Sequence, residues 1–380
     1  MFKVVLATAV LLSGSAAMAV QKSSPKIQVR IDFVEALAPR DTTSSERFQR
    51  DYVHAILTAK SLTEKRLASC GYELKTETSF YDSTDPIQAR ETAAKSSAAG
   101  AWMIVGPRRS NHYLLLAQGS PETPTVSLMA SAKEVGELGP LHQSISPLNS
   151  VMAKVAAKEA ASGIRNKVQK TYFTVVNEDC VACMDFSASF DAHSKSYKLI
   201  KLGEARVSGD APETSSLQEQ IESLRPDIVL LPNYSKSAAR VMAALEGSKV
   251  SPLFVGGDGW GDSKYGFVQN GEHLASATGI TVRGLPPVEE GMKSFPLGKK
   301  LATLENVGVD TPWSGPGLAI VRLIDRTTDL LCQNRPKHAA GFRETFRLAG
   351  RKTYSAPWGV SVYRLKNGIL SYQGMRKAQE

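Results

Sequence analysis

The run YDSTDPIQARETAAKSSAAGAWMIVGPRRSNHYLLLAQGSPETPTVSLMASA, residues 81–132, carries the clearest architectural signal in the chain. It alternates strand and helix patterns in a β-α-β-α-β order, with short polar residues directly after each predicted strand. After the apolar run Trp102-Met103-Ile104-Val105 the chain breaks at Gly106-Pro107 and presents Arg108, Arg109 and Ser110 at the start of a helix. After Thr125-Val126-Ser127-Leu128 it presents Met129, Ala130 and Ser131. In open parallel sheets a ligand sits in the crevice outside the carboxyl ends of the strands, and a helix N-terminus there offers N–H groups to an anion. The segment therefore reads as a holder for a small anionic group such as a carboxylate.

The alternation continues on both sides. Strands are expected at 27–34, 73–78, 102–105, 125–128, 171–176, 198–202, 227–231, 253–255 and 277–282, with helices between them. Leu217, Ile221 and Leu224 fall at i, i+4 and i+7, the stripe of a half-buried helix. Ser235 suits the N-cap and Gly247 the C-cap of a helix through Val241, Met242 and Leu245. Such alternation predicts a parallel sheet covered on both faces, and 380 residues exceed what one core serves. Two successive doubly wound units are expected. Ser146-Pro147-Leu148-Asn149-Ser150 reads as a crossover, and 281–290, with Gly284, Pro286 and Pro287, as a second break. A long helix from Gly317 to Cys332 follows it.

Lys3, the apolar run Val4 to Leu12 and the small residues around Ala17-Met18-Ala19 predict a cleavable signal peptide over residues 1–19. No cysteine follows that site, which argues against a lipid anchor, and no later stretch approaches the roughly 18 to 20 apolar residues of a membrane span. A soluble periplasmic protein is expected. The net charge of +9 comes from 46 scattered Lys and Arg without an aromatic-interleaved basic cluster, so nucleic acid is not the expected partner.

His54, His112, His142, His193, His273 and His338 lack metal-ligand spacing, and His112, nearest the expected cleft, reads as a surface residue. No GxSxG, HExxH or P-loop appears, so neither a metal, a cofactor nor an enzyme is expected. Cys180 and Cys183 form a solitary CxxC, read as a local disulfide or as two reduced, half-buried thiols in an oxidising compartment. Cys70 and Cys332 both fall at helix ends and would pair if those ends meet.

Taken in order, Tyr81-Asp82 with Asp85-Pro86 and Ala89, Gly106 through Ser110, Ser127 through Ser131, Pro232-Asn233-Tyr234, Gly256-Gly257-Asp258-Gly259-Trp260 and Ser314-Gly315-Pro316 form a set of landmarks. With them the chain resembles the type I periplasmic solute-binding proteins, in particular the branched-chain amino-acid (Leu/Ile/Val) binding family of ABC importers. The resemblance spans nearly all of the mature chain. It implies the periplasmic binding protein-like I fold, two doubly wound parallel-sheet α/β lobes joined by a three-strand hinge. Lobe 1 would be 27–148 plus 281–350, and lobe 2 149–280 plus 351–375. It also implies that Ser110, Ala130 and Ser131 hold a ligand α-carboxylate, while Tyr234 and Asp258 close over the ligand and bind its α-ammonium. The residue types agree, since hydroxyls suit a carboxylate and a carboxylate in a glycine-flanked loop suits an ammonium. The plainer alternatives are N-capping for Ser110 and Ser131, a turn-forming role for Asp258 and a half-buried aromatic for Tyr234.

The chain also departs from the family. Glu35 to Arg40 lacks a glycine-rich turn, Glu178 to Cys183 stands where the family often has a Tyr-Gly pair, and Gly317 and Leu318 stand where it has an aromatic. These changes count against branched-chain specificity. Arg108 and Arg109 place guanidinium groups at the cleft mouth, suited to a second anion; the alternative is arginines paired with acids or solvated. The expected function is that of a monomeric, non-enzymatic periplasmic protein working with an inner-membrane ABC permease. It would capture an amino acid or similar small anionic or zwitterionic solute. The alternative is a ligand sensor for a membrane receptor or histidine kinase.

Overall fold

The computed structural model describes residues 26–37, 42–164, 167–209, 212–260, 274, 276–301, 315–350, 354 and 359–377. The expected signal peptide, Arg40 and Ser314 lie outside the described residues.

Five parallel strands form the first sheet in the order β2 (Tyr72–Asp82), β1 (Ile27–Leu37), β3 (Met103–Gly106), β4 (Thr125–Ser127), β5 (His142–Ser144). Side chains alternate across a strand, so β1 feeds two cores. Val29, Ile31 and Phe33 pack beneath α1 (Thr42–Ser69) and α11 (Gly315–Asn334), while Val34 and Ala36 face α2 (Ile87–Ala98) and α3 (Ser110–Gly119). The ends of α1 and α11 do meet: Cys70 and Cys332 form a disulfide, with Arg66 and Asp325 paired at 2.6 Å beside it.

Seven strands form the second sheet, in the order β12 (Ile369–Arg376), β11 (Val360–Lys366), β10 (Thr278–Arg283), β9 (Leu253–Gly256), β8 (Ile228–Leu230), β6 (Lys170–Asn177), β7 (Leu199–Val207). It is parallel from β10 to β7, and β11 and β12 add an antiparallel edge. α5 (Asn149–Gly163) and α6 (Val181–Ser194) cover one face, α7 (Ser215–Leu224) and α8 (Ser235–Ala244) the other. Leu217 and Ile221 are buried as expected, but Leu224, the last residue of α7, is 42% exposed. The helix ends there, with Arg225 in the left-handed region, before the stripe completes a third contact.

Between the sheets the chain passes through 145–148, through 284–287, and again between α12 (Ala339–Ala349) and β11. The first two passages touch: a Cβ on Gly284 would stand 2.0 Å from Ser146 Oγ, so only glycine lets them run so close. β10 stays in the second sheet as far as Arg283, past the boundary expected at Thr281. Beyond it, α9 (Val288–Met292), α10 (Pro296–Leu301), α11 and α12 give Met292, Leu297, Leu318 and Phe342 to the first-sheet core. The result is two α/β lobes. No helix among the described residues is long and apolar enough to cross a membrane.

Candidate ligand-binding site

The site begins where β3 and β4 end. The Tyr113 ring lies against Gly106, where a Cβ would stand 2.6 Å from Cδ2, and this lets the chain turn sharply into α3. Ser110, first residue of α3, is buried, and its hydroxyl oxygen accepts the N–H of Ser131 at 3.1 Å and of Ala132 at 3.2 Å. Ser127 Oγ accepts the Ala130 N–H at 2.9 Å and donates to the Pro107 carbonyl at 2.8 Å. The two strand-end loops are thus stapled together, and the Ala130 amide is engaged by Ser127. The Ser110 hydroxyl has two lone pairs filled, which leaves its proton for another acceptor.

The facing wall comes from the second lobe. β9 ends at Gly256, and Gly256 to Trp260 wraps around its own tryptophan. Trp260 is fully buried and donates from Nε1 to the Leu231 carbonyl at 2.8 Å. Its indole crosses Gly256, where a Cβ would lie 2.0 Å from Cε2, and Gly259 approaches the Asn233 carbonyl to 2.9 Å by the same measure. Asp258 is carried on this turn into the gap between the lobes. There Ser131 Oγ donates to Asp258 Oδ2 at 3.4 Å. Asp258 keeps part of its surface open to the cleft, yet desolvation pushes its carboxyl up to about 6, against the Ser131 hydrogen bond and the charge of Arg283.

Tyr234 holds the N-cap position of α8, one residue before the expected Ser235, and its ring lies 5.4 Å from the Arg109 guanidinium of the other lobe. It also packs on Cys180 and Cys183, which form the local disulfide at the start of α6. The first turns of α6 reach the first lobe as well. Ala182 packs on the core around Val34, and Asp185 Oδ2 accepts the Lys133 N–H at 2.9 Å, capping α4 (Lys133–Glu137) from across the gap.

The two arginines part company. Arg109 is exposed and reaches toward Tyr234, whereas Arg108 turns into its own lobe, with Nε 3.3 Å from Glu35 Oε2 and the guanidinium 4.0 Å from the Phe48 ring. His112 is not at the surface. It is 1% exposed, its Nδ1 shares a 2.8 Å hydrogen bond with the Tyr81 hydroxyl, and burial together with Arg109 holds its pKa down to about 4. A polar residue two places into a helix looks solvated until the strand beside it is known.

The structure thus gathers Ser110, Ala130, Ser131 and Asp258 at one junction, sets Arg109 against Tyr234 beside them, and turns Arg108 toward Glu35. Glu35, Tyr81 and His112 were not expected here. The one signal for Glu35 is an acid inside the otherwise apolar run Phe33 to Ala36. The surface concavities along α1, by Arg50 and His54, and beside Gly163 and Asp227 lie away from this junction, where the walls touch.

No protein-family model matches the chain, and no characterised protein matches it in sequence. Solved structures match its fold. The leucine-binding protein LivK of Thermotoga maritima is 15% identical, with 92% of this chain and 99% of that one covered at a TM-score of 0.74. The branched-chain amino acid transporter substrate-binding protein LivJ of Streptococcus pneumoniae, in complex with isoleucine, is 13% identical over 92% and 99% at 0.67. An ABC transporter solute-binding protein of R. palustris, in complex with benzoate, is 14% identical over 92% and 96% at 0.66. At such identities the likeness is one of architecture, and it agrees with the two sheets, their order and their helical layers: the chain has the fold of the type I periplasmic solute-binding proteins.

Proposed function

We propose that the protein is the solute-binding component of an ABC importer, capturing an amino acid or similar small anionic or zwitterionic solute between its lobes. The observation that carries this reading is the Ser131–Asp258 contact, where a hydroxyl at a strand end of one lobe meets a carboxylate at a strand end of the other. A zwitterion inserted there has its anion beside the Ser110 proton and Arg109, and its ammonium beside Asp258. Because it bridges both walls it binds the closed form better than the open one, and so drives closure. Isoleucine and benzoate, held by two proteins of this fold, share a carboxylate.

In this reading the lobes are about 27–148 with 284–350, and 149–283 with 359–377. The chain works as a monomer in the periplasm, without catalysis, and hands its solute to an inner-membrane permease. Calorimetric titration with L-leucine, L-glutamate and benzoate tests it. Asp258→Ala is expected to cost an amino acid ~2 to 5 kcal/mol, about thirty-fold to several thousand-fold in affinity, because an ammonium is left buried and unpaired. Benzoate has no ammonium and should lose little. Amino-acid affinity that survives the substitution would remove Asp258 from the site.

A further inference from the structure

Next to the junction, the first lobe holds a polar cluster that its core does not require. Glu35 is 1% exposed near the end of β1, between Val34 and Ala36. A carboxylate there is unfavourable unless held; one oxygen is hydrogen-bonded, and the other has the charge of Arg108 beside it. Oε1 accepts the N–H of Ala36 at 2.9 Å and of Arg108 at 3.4 Å, and Oε2 stands 3.3 Å from Arg108 Nε. The guanidinium carbon lies over the Phe48 ring, 4.0 Å from its centroid. Carboxylate and phenyl ring together confine it, with Nε toward Glu35. Its terminal nitrogens have no partner among the described residues, and the side chain stays 35% exposed.

Tyr52 supplies an independent sign. Its hydroxyl is buried and has no hydrogen-bond partner among the described residues, and its ring packs on Phe48 with centroids 5.5 Å apart. A buried hydroxyl without a partner marks a place that a bound group or a water completes.

We propose that Glu35, Phe48, Tyr52 and Arg108 form a distal subsite that takes the side-chain carboxylate of an acidic amino acid, with Glu35 as the positioning residue for Arg108. The inference rests on the amino-acid reading above and names its class. Arg108 is two residues from Ser110, so the distal subsite and the place proposed for the α-carboxylate are carried on the same loop after β3. A guanidinium so confined offers two parallel donors, which match two carboxylate oxygens. A carboxamide offers one acceptor and one donor, so its NH2 meets a donor there. An aliphatic side chain leaves the guanidinium edge and the Tyr52 hydroxyl without partners.

The test is calorimetric titration of L-glutamate, L-glutamine and L-leucine into the mature chain and its Arg108→Ala, Glu35→Gln and Tyr52→Phe variants, each first shown to be folded by circular dichroism. L-glutamate should bind at least about tenfold more tightly than the other two. Arg108→Ala should cost L-glutamate about thirty-fold or more and L-leucine less than about three-fold. Glu35→Gln keeps the arginine's charge but loosens its confinement, and should reduce the glutamate-to-leucine preference about tenfold. A merely structural Glu35 would weaken all three ligands alike, which overturns the positioning role. Should Glu35→Gln not fold, Arg108→Lys, which keeps the charge without the fork, should lose the same preference. L-leucine bound as tightly as L-glutamate overturns the subsite and leaves the amino-acid reading standing. If none of the three binds, both fall.

Discussion

Ser110 begins α3, yet its hydroxyl takes the amide protons of Ser131 and Ala132 rather than one from its own helix. Its role is therefore partly that of a staple between the loops after β3 and β4. Ser110→Ala leaves two buried N–H groups without that acceptor and is expected to cost ~1 to 3 kcal/mol of stability. A lower urea midpoint at unchanged slope would show this, and an unchanged midpoint would mean that water fills the place. The residue was legible in the sequence because the Gly106-Pro107 break marks the strand end. Its partners were not, since Ser131 is 21 residues further on and comes near only because β3 lies beside β4. Arg108 shows the same limit more sharply. Its approach to Glu35, 73 residues earlier, depends on β1 pairing with β3, which no local pattern encodes.

Elements were easier to read than their contacts, but unevenly. Long apolar strands such as β1 and β6 carry an unmistakable pattern, whereas β5 is His142-Gln143-Ser144 and is a strand only because β4 offers it a partner. The β11–β12 hairpin was within reach of a sequence argument. Asn367-Gly368 joins two alternating runs, and both residues adopt positive φ, 52° and 73°, as a tight hairpin turn requires. The Gly256–Trp260 turn was expected at the site, and the structure supplies the reason for its glycines: the indole occupies the space a side chain at Gly256 would need. Gly256→Ala should force Trp260 away from the Leu231 carbonyl and cost ~1 to 3 kcal/mol, seen as a lower melting temperature. It should also weaken solute binding, because Asp258 rides on the same turn. A variant that melts and binds like the parent would show that the tryptophan can shift freely.

Among the described residues the polar contacts between the two lobes include Ser131 with Asp258, the Lys133 N–H with Asp185, Arg109 over Tyr234 and the Asn149 N–H to the Ser131 carbonyl. Two of these enclose carboxyl groups, and burial raises both, Asp258 to about 6 and Asp185 in the same direction. In an open cleft both regain water and return toward ~3.9. In the closing motion proposed above, the closed molecule therefore binds more protons than the open one across roughly pH 4 to 6, so closing becomes more favourable as pH falls through that window. Above about pH 6 the full cost of enclosing the Asp258 charge is present, and a solute that brings an ammonium offsets it. Small-angle scattering on the ligand-free protein should accordingly give a smaller radius of gyration at about pH 4.5 than at about pH 7.5. Asp258→Asn combined with Asp185→Asn should flatten that dependence, and a bound amino acid should restore the compact curve to the parent protein at the higher pH. Equal radii at both pH values, or a dependence that persists in the double variant, would show that closure is governed by the apolar and aromatic contacts between the lobes instead of by these two carboxyls.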